Sequence, residues 1–374
     1  MTSAVESPAL AAIPAALEDI RAGRMVVVVD DADRENEGDL TLAAERATPE
    51  AINFMARHGR GLICVAMTPE RLEALRIPLM TAENTSNFGT AFCESVDARA
   101  GVSTGISAAD RARSIQVLVD PSAQPADLAR PGHIFPLRAR PGGVLSRAGQ
   151  TEAAVDLARL AGLRPAGVIC EIMNEDGTMA RVPELREFCR QHGLRMISVA
   201  DLIRYRLQTE RHVERAGEAA QRTAFGDCRM IAYRSRLDDE LHTALVFGRP
   251  APGAPTLVRV QTHCLPASLG STECACAANL NAALRRIQAE GGGVLVYLHQ
   301  TRPGYEFADG ALAHAGSAAE SEDHTSIQRQ IGLGAQILAD LGVGPIRLLT
   351  NHPRRLAGLE AYGLSVVEHV PLTP

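Results

Sequence analysis

Three features that would each point to a particular class of protein are missing from this 374-residue sequence. The longest apolar runs, such as Met25–Val29 and Val294–Leu298, are far shorter than the roughly 18 residues of a membrane span. Basic residues are not in excess, because 38 Lys and Arg residues against 44 Asp and Glu residues give a net charge of −6. The N-terminal segment has no basic region ahead of an apolar core, so no secretory signal is indicated. We therefore predict a cytoplasmic chain that binds neither nucleic acid nor a membrane.

The eight cysteines do not indicate a disulfide framework in a chain of this kind. Most of them are expected to be small buried side chains. Cys264, Cys274 and Cys276 differ, because three thiols so close in sequence are typical of zinc ligands. Their spacing leaves two interpretations open, a zinc site and three thiols without a metal.

The length and the hydrophobic pattern indicate two α/β (α+β) domains with mixed sheets and flanking helices. Helical spacing alternates with short β-branched runs through the first part of the chain, including runs at 25–29, 61–67, 114–119, 166–173 and 195–199. A second set of runs that are typical of strands follows in the last part of the chain. We predict domains at 1–210 and 222–374. The polar segment 211–221 has no strand pattern and is predicted to be a linker.

The stretch that follows the first apolar run is rich in carboxylates. Residues 30–39 contain Asp30, Asp31, Asp33, Glu35, Glu37 and Asp39, with Arg34 among them. Clustered carboxylates repel one another unless a cation or a proton offsets their charge, and oxygen ligands suit Mg²⁺. In an extended segment Glu35 and Glu37 share a face. The residues thus indicate a magnesium site, with a solvated acidic turn as the alternative.

The same stretch, DDADRENEGDL at 30–40, resembles the signature loop of 3,4-dihydroxy-2-butanone 4-phosphate synthase, an enzyme of riboflavin biosynthesis. Further segments resemble that family in the same order, at 84–92, 101–112, 130–145 and 165–185. The resemblance covers about residues 12–208. It implies conversion of ribulose 5-phosphate to a four-carbon phosphate and formate with Mg²⁺ (or Mn²⁺). It also implies a homodimer with active sites near the subunit interface.

The resemblance assigns roles to individual residues. It implies Glu35 as a metal ligand with Glu37 close by, and His133 and Glu171 as catalytic groups. Substrate contacts are implied for Arg34, Glu35, Asp39, Cys64, Thr104, Arg147, Thr151 and Glu171. Arg147 and Thr151 match the motif on the phosphate side.

Gln150 departs from the family pattern, which has a second metal-binding His at this position. An amide oxygen is an acceptable Mg²⁺ ligand, but it cannot act as an acid or a base. Two outcomes are open: Gln150 retains the metal, or the site has changed its reaction.

Residues at about 212–373 resemble GTP cyclohydrolase II, which opens the imidazole ring of GTP with a zinc-activated water. Cys264, Cys274 and Cys276 match its zinc ligands, and Arg329 matches its candidate nucleophile. Other groups differ, because Gln261-Thr262-His263 replaces His-Ser-Glu, Ile327 replaces the proton-accepting Asp, and the loop at 300–304 departs from the family pattern. We predict that this half does not make the cyclohydrolase product. A dimerisation or regulatory role, or another ligand, would then account for it.

Three hypotheses are open at this stage. The first is a Mg²⁺-dependent lyase that acts on ribulose 5-phosphate and carries an inactive second half. The second is a diverged paralogue that acts on a related sugar phosphate in a specialised pathway. The third is a non-catalytic regulator or scaffold. Retention of Glu35, His133, Glu171, Arg147 and Thr151 together argues against the third, because a relic site would be expected to lose part of its acid–base pair.

Overall fold

The computed structural model describes residues 13–31, 34–237, 240–250, 253–270, 274–299, 305–308, 311–314, 324–353 and 359–372. The chain divides into two compact units that meet in sequence between Ile203 and Arg204. Within the described residues each unit contains a seven-stranded sheet with parallel and antiparallel pairs, so the predicted fold class is confirmed. None of the described helices combines the length and the apolar character that crossing a membrane requires.

The sheet of the first unit has the strand order β4-β5-β3-β6-β2-β1-β7. Its strands are β1 (Val26–Val29), β2 (Gly38–Ala43), β3 (Cys64–Met67), β4 (Val96–Ala98), β5 (Leu128–Arg138), β6 (Ala166–Glu171) and β7 (Arg195–Ser198). The β1, β3 and β6 strands are almost completely buried, as expected for short β-branched runs in the middle of a sheet.

Helices cover both faces of this sheet. They are α1 (Ile13–Arg21), α2 (Pro49–Phe54), α3 (Pro69–Ala74), α4 (Ala108–Val119), α5 (Gln150–Leu160), α6 (Val182–His192) and α7 (Val199–Thr209), the last of which crosses the boundary between the units. The α5 helix packs Ala154 and Val155 against the face that carries Cys64 and Ile169. That face also carries the residues of the candidate site.

The run at 114–119, predicted to be a strand, is the second half of α4. The Ser107 side chain caps this helix by accepting a hydrogen bond from the Asp110 N–H (3.1 Å). Ile115 and Leu118 are three residues apart and both fully buried, which is helical spacing. A short apolar run does not by itself distinguish a strand from a buried helix.

The sheet of the second unit has the order β16-β15-β11-β12-β10-β9-β8. Its strands are β8 (Val213–Thr223), β9 (Gly226–Ser235), β10 (Leu241–Phe247), β11 (Thr256–Thr262), β12 (Gly293–Leu298), β15 (Pro345–Leu349) and β16 (Ser365–Val370), and a separate hairpin contains β13 (Tyr305–Ala308) and β14 (Ala311–His314). The helices are α8 (Leu265–Ser268), α9 (Cys276–Ala289) and α10 (His324–Asp340).

The prediction of a linker at 211–221 is wrong, because most of this segment belongs to β8. The strand lies at the edge of the sheet and pairs antiparallel with β9 along its whole length. Nearly all of its side chains are exposed, so its sequence carries no apolar alternation. Polar composition here reflects an edge strand that faces solvent.

Candidate active site

The acidic loop connects β1 to β2 at the end of a buried strand. The two strands pair antiparallel, so residues 30–37 turn back on themselves. The Asp30 carboxylate accepts hydrogen bonds from the N–H groups of Glu35 (3.2 Å) and Glu37 (2.9 Å) and from the Arg34 guanidinium (2.7 Å). Asp30 therefore holds the loop, while the side chains of Glu35 and Glu37 remain 24% and 21% exposed. Asp33 lies outside the described residues.

Two arginines limit the negative charge of this loop. Arg34 forms an ion pair with the Glu35 carboxylate (2.7 Å). Arg181, which precedes α6, donates to the Glu35 carbonyl (2.7 Å) and to the Asn36 carbonyl, and it lies 3.9 Å from the Glu37 carboxylate. The loop is thus fixed from two sides.

Asp39 and Glu171 lie directly opposite each other on β2 and β6, on the same face of the sheet. Asp39 is 3% exposed. The Glu171 carboxylate accepts a hydrogen bond from the Leu62 N–H (2.9 Å). A Cβ atom at Gly61 would lie 2.5 Å from the same carboxylate oxygen, so the glycine leaves the space that Glu171 occupies. We call Glu35, Glu37, Asp39 and Glu171 the acidic cluster.

Burial and mutual repulsion shift the acidic cluster toward its protonated form. Burial raises the pKa of Asp39 well above its usual range, and the charges of Glu171 and Glu35 add to this effect. Burial likewise raises the pKa of Glu171, and burial together with Glu35 raises that of Glu37. Carboxyl groups in this state are suited to hold a proton or to bind a cation.

Gln150, the first residue of α5, reaches back to the acidic loop. Its side-chain amide donates hydrogen bonds to the carbonyls of Val28 (2.9 Å) and Glu37 (3.4 Å). The residue is 7% exposed, and its Oε1 atom is buried with no hydrogen-bond partner among the described residues. The two donor bonds fix the amide, and a buried oxygen lone pair is left available beside the acidic cluster.

The beginning of α5 also provides groups suited to an anion. Thr151 is buried in the first turn, and Gly149 at the N-cap provides no capping side chain. Arg147 donates to the Glu152 carboxylate (2.7 Å), to the Phe88 carbonyl (3.1 Å) and to the Thr90 hydroxyl (3.2 Å). A fixed guanidinium and the N-terminus of an 11-residue helix together favour a bound phosphate.

Cys64 and Arg34 lie beside these groups. Cys64, on β3, is 2% exposed, and burial raises the pKa of its thiol, with Glu171 and Asp39 contributing. The thiol is therefore protonated and apolar in character. The Arg34 guanidinium stacks over the Phe88 ring, with 5.6 Å between its carbon and the ring centroid. The segment at 84–90 thus connects Arg34 with Arg147.

His133 belongs to a second group of contacts. Its Nδ1 atom lies 2.7 Å from the Asp97 carboxylate, and Thr104 is exposed in the loop that covers this pair. Within the described residues, no hydrogen bond or ion pair connects His133 or Thr104 with the acidic cluster. That His133 acts together with Glu171 therefore stays a prediction.

The three predicted thiols of the second unit do converge. The sulfur atoms of Cys264, Cys274 and Cys276 all lie within 4.8 Å of one another, and those of Cys264 and Cys274 are 3.7 Å apart. Burial raises the pKa of Cys276 to about 12. Among the described residues this is the group of three or more His, Cys, Asp or Glu side chains whose ligand atoms lie close enough to share one ion.

The structure describes only some of the other residues predicted for this second site. Arg329 lies in α10, and Gln261 accepts hydrogen bonds from Arg259 (2.7 and 3.2 Å). The Ile327 side chain and the loop at 300–304 lie outside the described residues.

Several residues that shape these sites are not identified by sequence reasoning. Asp30 stands within the acidic run, but its role as the internal acceptor depends on the turn. Glu152 fixes Arg147, and Asp97 contacts His133 from another strand. Asp97 is 36 residues away from His133 in sequence, and nothing in the local pattern distinguishes it from an ordinary aspartate at a strand.

Comparison with known proteins agrees with this geometry. The family model of 3,4-dihydroxy-2-butanone 4-phosphate synthase matches residues 14–205, and that of GTP cyclohydrolase II matches residues 214–371. Riboflavin biosynthesis protein RibBA of Aquifex aeolicus is 52% identical over 370 residues, which cover 96% of this chain and 91% of the relative. Bifunctional riboflavin biosynthesis protein RIBA 1, chloroplastic, of Arabidopsis thaliana is 48% identical, over 98% of this chain and 70% of the relative.

Solved structures show the same relationship. RibBX, a two-domain 3,4-dihydroxy-2-butanone 4-phosphate synthase from A. baumannii, superposes with a TM-score of 0.80 at 42% identity, over 97% of this chain and 99% of that one. A 3,4-dihydroxy-2-butanone 4-phosphate synthase in complex with two magnesium ions has a TM-score of 0.51 at 46% identity, over 53% of this chain and 98% of that one. The chain therefore belongs to the 3,4-dihydroxy-2-butanone 4-phosphate synthase family as a lyase-type enzyme of riboflavin biosynthesis with a GTP cyclohydrolase II domain joined to it.

Proposed function

We propose that the first unit converts D-ribulose 5-phosphate to 3,4-dihydroxy-2-butanone 4-phosphate and formate with a bound divalent cation, Mg²⁺ or Mn²⁺. The observation that carries this proposal is the buried Gln150 Oε1 atom, which has no partner among the described residues and belongs to an amide that binds the Glu37 carbonyl, next to carboxyl groups whose charges raise one another's pKa. An acidic cluster alone is common. A buried oxygen without a partner beside such a cluster is costly, and a cation would offset that cost.

Glu35, Glu37 and Gln150 would hold the metal, because all three offer oxygen ligands and belong to one loop or contact it. Mg²⁺ prefers oxygen and commonly takes one or two carboxylates, with water and substrate oxygens completing its shell. When bound, the metal would polarise the carbonyl and hydroxyl oxygens of the ketose. The solved magnesium complex of a 46% identical synthase supports this choice of metal.

The substrate phosphate would lie at the start of α5. Arg147, held by Glu152, and the Thr151 hydroxyl would bind its oxygens together with the first N–H groups of the helix. Arg34 and Asp39 would contact the sugar hydroxyls, and Cys64 and Thr104 would line the pocket. This orientation directs the carbonyl end of the ketose toward the acidic cluster.

Glu171 and His133 would move the protons of the reaction. Burial raises the pKa of Glu171, and this favours a role for its carboxyl group in holding and passing on a proton. Register supports a place for His133 on the same surface. Phe135 pairs with Cys64, Cys64 pairs with Ile169, and His133 and Glu171 each lie two residues along their strands, on the same face.

A homodimer fits this arrangement. Large apolar side chains next to the site residues are 41–56% exposed in the single chain, namely Leu62, Leu79, Met80, Phe88 and Ile106. A second copy would cover them, as apolar surface next to a functional site commonly indicates an interface. Light scattering during size-exclusion chromatography should give twice the chain mass of 39.8 kDa.

We further propose that the second unit binds zinc but does not make the GTP cyclohydrolase II product. Tetrahedral Zn–S bonds of about 2.3 Å place two sulfurs about 3.8 Å apart, close to the separation of Cys264 and Cys274. Gln261, Thr262 and His263 replace the family's polar sequence before Cys264, and Ile327 replaces its acid. Loss of a general base typically slows such a hydrolysis by about 10²–10⁴-fold.

Formate release tests the main proposal. The chain is incubated with ribulose 5-phosphate and Mg²⁺, and formate is measured. Stoichiometric formate supports the proposal, whereas consumption of the sugar without formate indicates a different reaction on a related substrate. Absence of turnover, together with absence of Mg²⁺ and sugar-phosphate binding, would support a non-catalytic role.

The variant Gln150→His separates the two explanations of the family departure. A rise in formate release would show that Gln150 limits the lyase reaction. Loss of another activity would show that Gln150 sets the specificity. Gln191→His, at an exposed glutamine of α6 whose side chain donates a hydrogen bond to Glu187, is the matched control.

A further inference from the structure

We propose that Asp97 is the positioning residue of this site. It holds the His133 ring in the tautomer whose Nε2 atom, not Nδ1, exchanges a proton with the substrate. This inference rests on the proposed function, because it assumes that His133 acts on the bound ketose.

The Asp97 carboxylate contacts His133 twice. One oxygen lies 2.7 Å from Nδ1 of the ring, and the other accepts a hydrogen bond from the His133 backbone N–H (2.9 Å). A carboxylate at this distance makes Nδ1 the protonated nitrogen, which leaves the Nε2 lone pair free in the neutral ring. The His133 side chain is 40% exposed, so Nε2 has room for a substrate, whereas the Asp97 side chain is 11% exposed.

Backbone irregularities bring the pair together. The pairing of β4 with β5 shifts register between Val96 and Asp97. On the opposite strand, a Cβ atom at Gly132 would lie 2.1 Å from the Val96 carbonyl carbon, so only glycine permits this approach. Val96 pairs with Ile134 and Asp97 with Ala129, so the extra residues of the bulge lie on β5 and include His133. A bulge of this kind redirects a side chain, and here it turns the His133 ring toward the Asp97 carboxylate.

A separate loop covers the contact. A Cβ atom at Gly105 would lie 2.2 Å from the Asp97 carboxylate and 2.4 Å from His133 Nδ1. Gly105 also has a φ of +95°, which favours glycine. Asp110 holds this loop by accepting from the Ser103 N–H (3.0 Å), the Ser103 hydroxyl (2.7 Å) and the Gly105 N–H (3.1 Å). The pair is thus enclosed on the Nδ1 side and open on the Nε2 side.

The sheet places this open side near the acidic cluster. If the β3–β5 register is extended by two residues, His133 is level with Leu62, whose N–H binds Glu171. Two strand spacings correspond to roughly 10 Å. Among the described residues no hydrogen bond joins His133 and Glu171, and a substrate between the two strands would contact both side chains.

Two substitutions at one position distinguish positioning from a structural role. Asp97→Asn keeps the shape, but its amide would donate to Nδ1 and favour the wrong tautomer. Asp97→Ala removes the constraint and leaves both tautomers accessible. For positioning, kcat should fall about 10²–10⁴-fold in Asp97→Asn and less in Asp97→Ala, while KM for ribulose 5-phosphate changes less than about threefold. A structural role predicts the reverse order, because alanine removes more contact than asparagine does.

The experiment combines formate kinetics, thermal melting and ¹⁵N-histidine NMR. The control is Asp127→Asn, an exposed aspartate just before β5 that accepts a hydrogen bond from the Gln124 N–H. The wild type is expected to show a downfield Nδ1–H proton resonance. This resonance should be absent from Asp97→Ala and from His133→Gln, the variant used for assignment. The proposal is overturned if Asp97→Asn retains kcat within threefold of the wild type, or if that resonance is unchanged in Asp97→Ala. If the wild type releases no formate, the proposed function fails, and the NMR result still decides the Asp97 contact.

Discussion

Replacement of Gln150 by leucine should reduce the magnesium response of the chain to about half and lower its metal-free stability by about 1 kcal/mol. The two amide donors to Val28 and Glu37 are lost, which costs about 2–4 kcal/mol because the carbonyls stay buried. The buried Oε1 atom without a partner is lost as well, and this relieves about 1–3 kcal/mol. The net change in the free energy of unfolding without metal is therefore a loss of about 1 kcal/mol at the centre of these ranges, and it lies between a gain of about 1 and a loss of about 3 kcal/mol.

The response to metal separates the two proteins more clearly. A ligand at 100 times its Kd stabilises the folded state by about 2.7 kcal/mol, and a tenfold loss of affinity reduces this by about 1.4 kcal/mol. At about 2–4 °C per kcal/mol for a unit of this size, Mg²⁺ should raise the Tm of the wild type by about 5–11 °C. The increase in Gln150→Leu should be about half as large.

Differential scanning fluorimetry across a Mg²⁺ titration measures both quantities without reference to turnover. Gln191→Leu on the exposed side of α6 is the matched control and should follow the wild type within about 0.5 kcal/mol. An equal Mg²⁺ shift in wild type and Gln150→Leu would refute the assignment of the Oε1 atom to the metal. It would leave the acidic cluster itself untested, so isothermal titration of Glu35→Gln is measured in parallel.

Three further outcomes follow from contacts elsewhere in the chain. Asp30→Ala removes the acceptor that holds the acidic loop, so formate release should fall at least tenfold. Asp127→Ala, at an exposed aspartate of another segment, should have little effect. Equal activity of both variants would contradict the role of Asp30. Burial alone would raise the pKa of Asp19, but hydrogen bonds from Arg195 and Arg24 outweigh it and lower the pKa. The stability that the Asp19 carboxylate contributes is present above its unfolded pKa of about 3.9. It is lost as pH falls through the lower pKa of the folded state. Urea denaturation should therefore find Asp19→Asn less stable than the wild type at pH 7, and the free energy of unfolding of the variant should fall less steeply with pH below about pH 4. Cys276→Ser should lose bound zinc by elemental analysis and keep its formate release, and an unchanged zinc content would argue against the thiol site.

The sequence indicates the strands that are buried from both sides better than it indicates the rest of the fold. The MVVVV run and the acidic residues that follow it predict β1 and the loop, because a short β-branched run followed by charged residues is typical of a buried strand that ends at the surface. The β8 strand escapes detection because its side chains face solvent along almost its whole length. The run at 114–119 is wrongly predicted to be a strand, because over six residues its apolar positions fit the repeat of a helix as well as that of a strand.

Whether a site residue can be predicted from the sequence depends on whether its partners lie on the same segment of the chain. Those that lie on one contiguous segment, such as Glu35 and Glu37, are predicted from the sequence, since their proximity follows from the chain itself. Asp97 is not predicted, because it meets His133 only through the β4–β5 pairing and a bulge that no local pattern encodes. The sequence shows that residue 150 is a glutamine. It does not show that the side-chain oxygen is buried without a partner, because that orientation depends on how the folded loop and α5 meet.

The close approach of Gly61 to Glu171 has a consequence for how the enzyme tolerates mutation. At this point the wall of the cavity is main chain, and even one methyl group would occupy the volume of a carboxylate oxygen. Saturation mutagenesis should therefore find a steep loss of activity at Gly61, although this position contributes no functional group. Variation in substrate preference among relatives would then be expected at positions where a side chain, and not the main chain, contacts the substrate.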